Sequence, residues 1–239
     1  MSKLYGVSVG TGDPELITVK GLKCLQNANI VAFPEGIRGK RGIAQSIITP
    51  WLQSHQTLLP LKFPYVQDEK ELTQAWETAA KTVLTYLQNG EDVTFACEGD
   101  ISFYSTFTYL AQTVQQFDSN VAVETIPGIC SPMAAAAELG IPLTTRSQRL
   151  MILPTLYHLE ELETALNHAE VIVLMKFSSL YPQIWELLAQ KGLLASSQIV
   201  ERATMPEQVV YQDLRDRATL QLSYFSIMII KLYPSNLLR

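Results

Sequence analysis

Short apolar runs alternate with amphipathic stretches along most of the chain. The run Leu4–Gly10 (LYGVSVG) predicts a strand, and Val19, Leu22 and Leu25 recur near helical spacing, which predicts a helix over Val19–Asn27. A second run, Ile30–Phe33, precedes a Gly- and Arg-rich loop (PEGIRGKRG) and a periodic segment, Ile43–Leu52. Thr57–Leu61 and Val93–Cys97 predict strands on either side of a long helix, Glu69–Gln88, which Asn89-Gly90 stops. A helix over Tyr104–Phe117 and a strand over Val121–Ile126 follow. Strands alternating with helices require right-handed crossovers, so this half predicts a doubly wound, mostly parallel sheet.

After Ser131 the chain has a small-residue helix, Pro132–Leu139, and a further alternation: Leu150–Leu153, Leu159–Asn167, Val171–Met175, Leu180–Lys191 and Gln198–Glu201. The last two apolar runs, Val209–Gln212 and Tyr224–Leu232, are separated by a charged turn (Asp213–Arg217) and by no helix long enough for a crossover. That predicts a mixed sheet. The expected architecture is two α/β domains, 1–129 and 130–239.

Charge narrows the class of partner. Lys and Arg number 18 against 23 Asp and Glu, a net charge of −5, and 47% of residues are hydrophobic. Residues 1–117 carry nine basic and eleven acidic side chains, residues 118–239 nine and twelve, so neither half is a basic arm. A long nucleic acid is therefore a poor expected partner. The three cysteines lie far apart without a C-x-x-C, so neither a disulfide framework nor a bound metal is expected. No apolar run approaches the roughly 18 residues of a membrane span, and a soluble, unprocessed, cytoplasmic protein is expected.

Ligands of open parallel sheets gather where strands end and helices begin. Three such loops stand out. Gly10-Thr11-Gly12-Asp13-Pro14-Glu15 begins like a dinucleotide fingerprint but has Glu15 at the third glycine position, and reads locally as a tight turn capped by Asp13. Cys97-Glu98-Gly99-Asp100 places two carboxylates around a glycine at a strand end, where they either bind a ligand or, through Asp100 or Ser102, cap the next helix. Ile126-Pro127-Gly128-Ile129-Cys130-Ser131 opens a helix whose free N–H groups suit a polar or anionic group. Met175-Lys176 also follows a strand, and Glu201–Gln208 (ERATMPEQ) reads as a solvated charged turn. Motifs for phosphate cleavage, zinc proteolysis and serine hydrolysis are missing.

Taken in order, VGTGDPELIT, CEGD, IPGICSPMAAAAELGIPL, VLMK and VERATMPEQ resemble the signatures of the tetrapyrrole methylases, the S-adenosylmethionine-dependent enzymes of cobalamin and sirohaem synthesis. Thr11 and Ile101 stand where the family usually has proline. Within the family, CEGDISFYSTFTYL, VLMKFSSL and ERATMPEQ are most similar to the enzymes that methylate carbon 20 of precorrin-2, metal-free or cobalt-bearing. The resemblance implies a homodimer of two-domain protomers. It places the cofactor in the cleft between the domains and the tetrapyrrole in a trough of the first.

By position, the resemblance implies cofactor contacts at Thr11, Glu98, Gly99, Asp100, Ile101, Cys130, Ser131, Met175, Ala203 and Ser226. Removal of the proton after methyl transfer falls to Glu98, Asp100 or water. The many carboxylates of such a substrate suit Arg38, Lys40, Arg41, Arg146, Lys176 and Arg202, with Tyr104 beside them. Two acid-free stretches, Gly36–Phe63 and Gly140–Leu159, hold most of these cations. The rival expectations are a relative acting on RNA or a protein histidine, a non-catalytic porphyrinoid carrier, and a nicotinamide oxidoreductase, the last disfavoured by the missing third glycine.

Overall fold

In the first half of the chain the strands Ile30–Pro34 and Val93–Cys97 are buried almost throughout between helices, which is why they read as continuous runs of largely apolar residues. The structure, a computed structural model, describes residues 2–36, 41–64, 66 and 68–232. It divides into two compact units, Met1–Cys130 and Ser131–Arg239. The first contains β1 (Lys3–Ser8), α1 (Val19–Asn27), β2 (Ile30–Pro34), α2 (Ile43–Ile48), β3 (Thr57–Leu61), α3 (Glu69–Gln88), β4 (Val93–Cys97), α4 (Thr106–Phe117) and β5 (Ala122–Ile126). The strands lie in the order β3-β2-β4-β1-β5, all parallel.

Val7, Val9, Val31, Phe33 and Ala96 pack against α1 and α2 through Leu25, Ala44 and Ile47 on one face of this sheet. On the other, Leu4, Ile30, Val93 and Phe95 meet Ala80, Val83, Leu84, Phe107 and Leu110 of α3 and α4. The connection leaving β1 runs to β2 on one side, and that leaving β4 runs to β5 on the other. The carboxyl ends of β1 and β4, which are neighbours, therefore form the topological switch point, where side chains can converge without a crossing connection above them.

Of the element boundaries that differ from the sequence expectation, two are each decided by a local backbone feature. The segment expected as Ile43–Leu52 is helical only to Ile48 and ends in a tighter turn, Thr49–Trp51, because Pro50 has no N–H with which to continue the ladder. The helix expected from Tyr104 begins at Thr106: Tyr104 is left-handed (φ 51°), and Ser105 caps the helix by accepting the Phe107 N–H at 3.1 Å.

The second unit contains α5 (Ser131–Glu138), β6 (Leu150–Leu153), α6 (Leu159–His168), β7 (Val171–Met175), α7 (Tyr181–Gln190), β8 (Ser197–Glu201), β9 (Val209–Tyr211) and β10 (Ser226–Lys231). Its sheet, β6-β7-β10-β8-β9, is mixed: β6 and β7 are parallel, while β10 is antiparallel to both neighbours and β9 to β8. β10 is buried along its whole length. The charged turn that stands in for a crossover helix is anchored by Leu214, which is fully buried, and by two side-chain donors, Tyr181 Oη to Arg217 O and Trp185 Nε1 to Leu214 O, both 2.7 Å. The pairing brings the ends of β6, β7 and β8 and the starts of β9 and β10 to one end of the sheet.

Candidate active site

Beyond the last residue of β1, the chain stays bound to the β4 loop. Val9 N donates to Cys97 O at 2.9 Å, and Gly10 and Gly99 exchange a pair of backbone hydrogen bonds, 3.3 Å and 2.6 Å. Both glycines are left-handed, φ 78° and 72°, a conformation other residues enter only at a cost. A side chain added at Gly99 would point into open space, so the backbone there is accessible to a ligand.

Ser8 ties three loops together. It is fully buried, its hydroxyl donates to Ile126 O at 2.8 Å at the end of β5, and it accepts the Ile101 N–H at 2.7 Å from the β4 loop. Gly128 packs directly on Ser8: a Cβ there would overlap Ser8 Cβ and lie 3.4 Å from Ser8 O. Asp13 caps its own short turn, accepting Glu15 N–H at 2.8 Å.

The two carboxylates around Gly99 have opposite environments. Asp100 Oδ2 accepts the Gly128 N–H at 2.7 Å, and Oδ1 accepts the Ser102 N–H at 2.9 Å and the Ser102 hydroxyl. Burial pushes its pKa up, but the donors at Gly128, Ser102 and Ser8 outweigh that and hold it below its ordinary value. Asp100 therefore stays ionised as a clasp between the second and third loops, and caps no helix. Glu98 Oε2 is buried and has no hydrogen-bond partner, and burial raises the pKa of the carboxyl. Next to it, burial pushes the Cys97 thiol up to about 12, so Cys97 remains a neutral thiol, 3.2 Å from Ser105 Oγ.

In the second unit, the end of the sheet carries a cationic and aromatic cluster. Lys176, after β7, holds its ammonium 5.6 Å from the ring centre of Tyr224, and Tyr224 and Phe225 stack edge to face at 5.1 Å. Arg202, after β8, donates its N–H to Phe225 O at 2.7 Å. Glu201 is buried and gathers this end: it accepts Ser223 N–H at 2.6 Å, Tyr211 Oη at 3.1 Å and the Ser226 hydroxyl at 3.4 Å. The expectation of a solvated turn thus fails at its first residue, because β9 and β10 surround it.

Left-handed backbone at residues other than glycine occurs, among the described residues, at Tyr104, Arg146, Lys176, Arg202 and Thr204. Such conformations cost of order 1–3 kcal/mol each and persist where the surroundings impose them, often at ligand sites. Four of the five are residues expected to meet substrate.

The profile of the tetrapyrrole (corrin/porphyrin) methylases matches residues 3–218. This chain belongs to that family. Among curated relatives, it is 30% identical over 229 residues to the cobalt-precorrin-2 C(20)-methyltransferase of Salmonella typhimurium, covering 95% of each chain. To the precorrin-2 C(20)-methyltransferase of a Sinorhizobium species it is 29% identical over 238 residues, covering 96% of this chain and 95% of the other. The uroporphyrin-III C-methyl transferase of Thermus thermophilus, solved in complex with S-adenyl homocysteine, has the same fold, with a TM-score of 0.67, 19% identity and coverage of 96% and 92%.

In this tetrapyrrole methylase, Thr11, Glu98, Gly99, Asp100 and Ile101 gather at the switch point of the first unit. Met175, Lys176, Arg202, Ala203 and Ser226 gather at the sheet end of the second. Cys130 and Ser131 lie where the two units join in the chain, Ser131 opening α5. Tyr104 is 58% exposed and packs edge to face on Phe103 at 4.7 Å. Arg41 and Arg146 are exposed, while Arg38 and Lys40 lie outside the described residues. One cation of the acid-free stretch Gly140–Leu159, Arg149, is neutralised in space, because Glu170 takes its guanidinium at 2.7 Å and 3.2 Å. Ser8 and Glu201 organise the loops and strand ends of the candidate site, a role that sequence reading missed. The available signal was that each is a polar side chain inside or ending an apolar strand.

Proposed function

We propose that this protein is an S-adenosylmethionine-dependent C-methyltransferase that methylates carbon 20 of precorrin-2, metal-free or cobalt-bearing, in cobalamin biosynthesis. The observation that carries the reading is the end-to-end similarity to two C(20)-methyltransferases, within a family that spans residues 3–218. The first unit supplies the tetrapyrrole trough, and the second completes the methyl-donor site. The protein works as a homodimer in the cytoplasm. Its three cysteines lie far apart in the sequence without a C-x-x-C, in keeping with a reducing compartment, and among the described residues no helix is long and apolar enough to cross a membrane.

The residues at the switch point leave room for the donor. The open space beside Gly99 lets it reach backbone, and a buried carboxyl oxygen on Glu98 is left without a partner. Thr11, Gly99, Asp100 and Ile101 would hold the donor from the first unit, Glu98 touching it through its backbone alone, with Cys130 at its end, and Ser131, Met175, Ala203 and Ser226 from the second. At Asp100, Ile101 and Ser226 hydrogen bonds within the fold already occupy the carboxylate, the amide and the hydroxyl, so these residues shape the pocket. Bound there, S-adenosylmethionine supplies a methyl already activated for transfer. The chain's own task is to orient the acceptor carbon and exclude water. Arg41, Arg146, Lys176 and Arg202 meet the peripheral carboxylates of the macrocycle, Arg38 and Lys40 do the same, and Tyr104 lies beside the ring.

Incubation with methyl-labelled S-adenosylmethionine and precorrin-2 or its cobalt complex, under anaerobic conditions, tests the reading. One of the two takes up a single labelled methyl per macrocycle with the higher kcat/KM, and that ratio identifies the natural substrate. Labelling of neither rejects the proposal.

A further inference from the structure

Methylation at a meso carbon that bears hydrogen leaves that carbon with both groups and leaves the macrocycle carrying the charge that was on the donor sulfur. The reaction is complete only when the carbon–hydrogen bond breaks, its electron pair returns to the conjugated system and the proton passes to an acceptor. We propose that Glu98 is that acceptor, a catalytic base acting on carbon 20. The inference rests on the C(20)-methylation reading.

The geometry selects Glu98 from the groups at the switch point. Asp100 has both oxygens engaged, by Gly128 and Ser102, and Asp13 is committed to the Glu15 N–H. The Cys97 thiol, at about 12, stays protonated and donates or accepts against Ser105. Glu98 Oε2 alone is a buried carboxyl oxygen without a hydrogen bond in the described residues, and its backbone is fixed by the Gly10–Gly99 pairing one residue on. An oxygen shielded from water can receive a proton from a carbon acid without competition from solvent, and the raised pKa of the carboxyl brings it nearer the value that suits a base at neutral pH. A buried polar atom without a partner costs stability, so an oxygen left in that state at the end of a central strand is explained by a task. The proton then leaves Glu98 for solvent as product departs, restoring the carboxylate.

Glu98→Gln and Glu98→Asp separate this role from the two alternatives. In Glu98→Gln, kcat falls about 10²- to 10⁴-fold, the usual contribution of a positioned base. The dissociation constant for S-adenosylmethionine, measured by calorimetry without tetrapyrrole, stays within about threefold, a change of less than ~0.7 kcal/mol. Substrate carrying deuterium at carbon 20 reacts at nearly the protium rate in the wild type, but shows a primary isotope effect in Glu98→Gln, where proton loss has become limiting. Glu98→Asp keeps part of the activity. Because burial disfavours the ionised carboxylate, the neutral amide of Glu98→Gln also raises the unfolding midpoint at neutral pH, which a structural role would lower. Full activity of Glu98→Gln overturns the proposal. So does a defect confined to donor affinity and abolished at saturating donor, since it makes Glu98 a partner of the donor's charge. Failure of the wild type to label carbon 20 would instead reject the functional reading, independently of Glu98.

Discussion

Gly128→Ala lowers the unfolding midpoint of the first unit by several degrees and weakens S-adenosylmethionine binding, and Ser8→Gly restores part of both. Gly128 has no left-handed backbone to require glycine; what requires it is Ser8, whose Cβ an alanine methyl would overlap. Neither side can yield easily. Ser8 is the last residue of β1, in register with Cys97 of β4, and its hydroxyl is bonded to Ile126 O and Ile101 N. Gly128 is held by Asp100 at 2.7 Å. Overpacking of this kind costs about 1–3 kcal/mol, and ~2–4 °C per kcal/mol is expected for a chain of this size. Removing the Ser8 side chain relieves the overlap while losing the hydroxyl, so Ser8→Gly alone is also destabilising. The double variant is then more stable than the sum of the singles predicts, by a coupling of about 0.5–3 kcal/mol. Strict additivity on thermal unfolding would show that the two residues do not press on one another.

Asp100→Asn costs about 1–3 kcal/mol, the range for leaving a donor unsatisfied, and loosens donor binding by shifting Gly99 and Ile101. An asparagine can accept from the Gly128 N–H or from the Ser102 N–H, but its NH2 group then faces the other donor. The pH dependence carries a definite sign. Asp100 is held below its ordinary pKa, so the stability it contributes is present above the ordinary carboxylate range and is lost as pH falls through its depressed folded value. Glu98 is shifted the other way: its contribution is fully present below the unfolded value and disappears as pH rises through the folded one. Unfolding midpoints measured from pH 7 downward therefore fall less steeply for Asp100→Asn than for the wild type at the acid end, and Glu98→Gln removes the loss on the rising side. Parallel curves for Asp100→Asn and wild type would mean that the clasp contributes nothing in solution.

The alternation of apolar runs with amphipathic stretches was enough to read both sheets, because the central strands β2, β4 and β7 are buried almost throughout and are largely apolar for that reason. Ends of elements were less legible wherever one residue decided them: Pro50 cut a periodic segment short, and the left-handed Tyr104 delayed a helix that the apolar spacing alone would start two residues earlier. The glycine-bearing loops at the switch point could be read as a site, since carboxylates and glycines are poor core residues at strand ends. Their internal wiring could not. Ser8 bonds partners 93 and 118 residues away and looks in the sequence like any strand position. Glu201 looks like the start of a solvated turn until β9 and β10 close around it, and the positive stretch around Arg149 loses one of its cations to Glu170, 21 residues on. Motif resemblance supplied the order of the loops, and only the fold shows that Asp100 is occupied and Glu98 is not.

The central claim is that the switch point and the cationic sheet end serve methyl transfer to one carbon of a tetrapyrrole. It is tested most directly by running the reaction with S-adenosylmethionine carrying 13C in its methyl group and locating the label in the product by NMR. The account predicts a single enriched methyl on carbon 20, with the hydrogen of that carbon lost; a label on any other carbon, or none on the macrocycle, would contradict it.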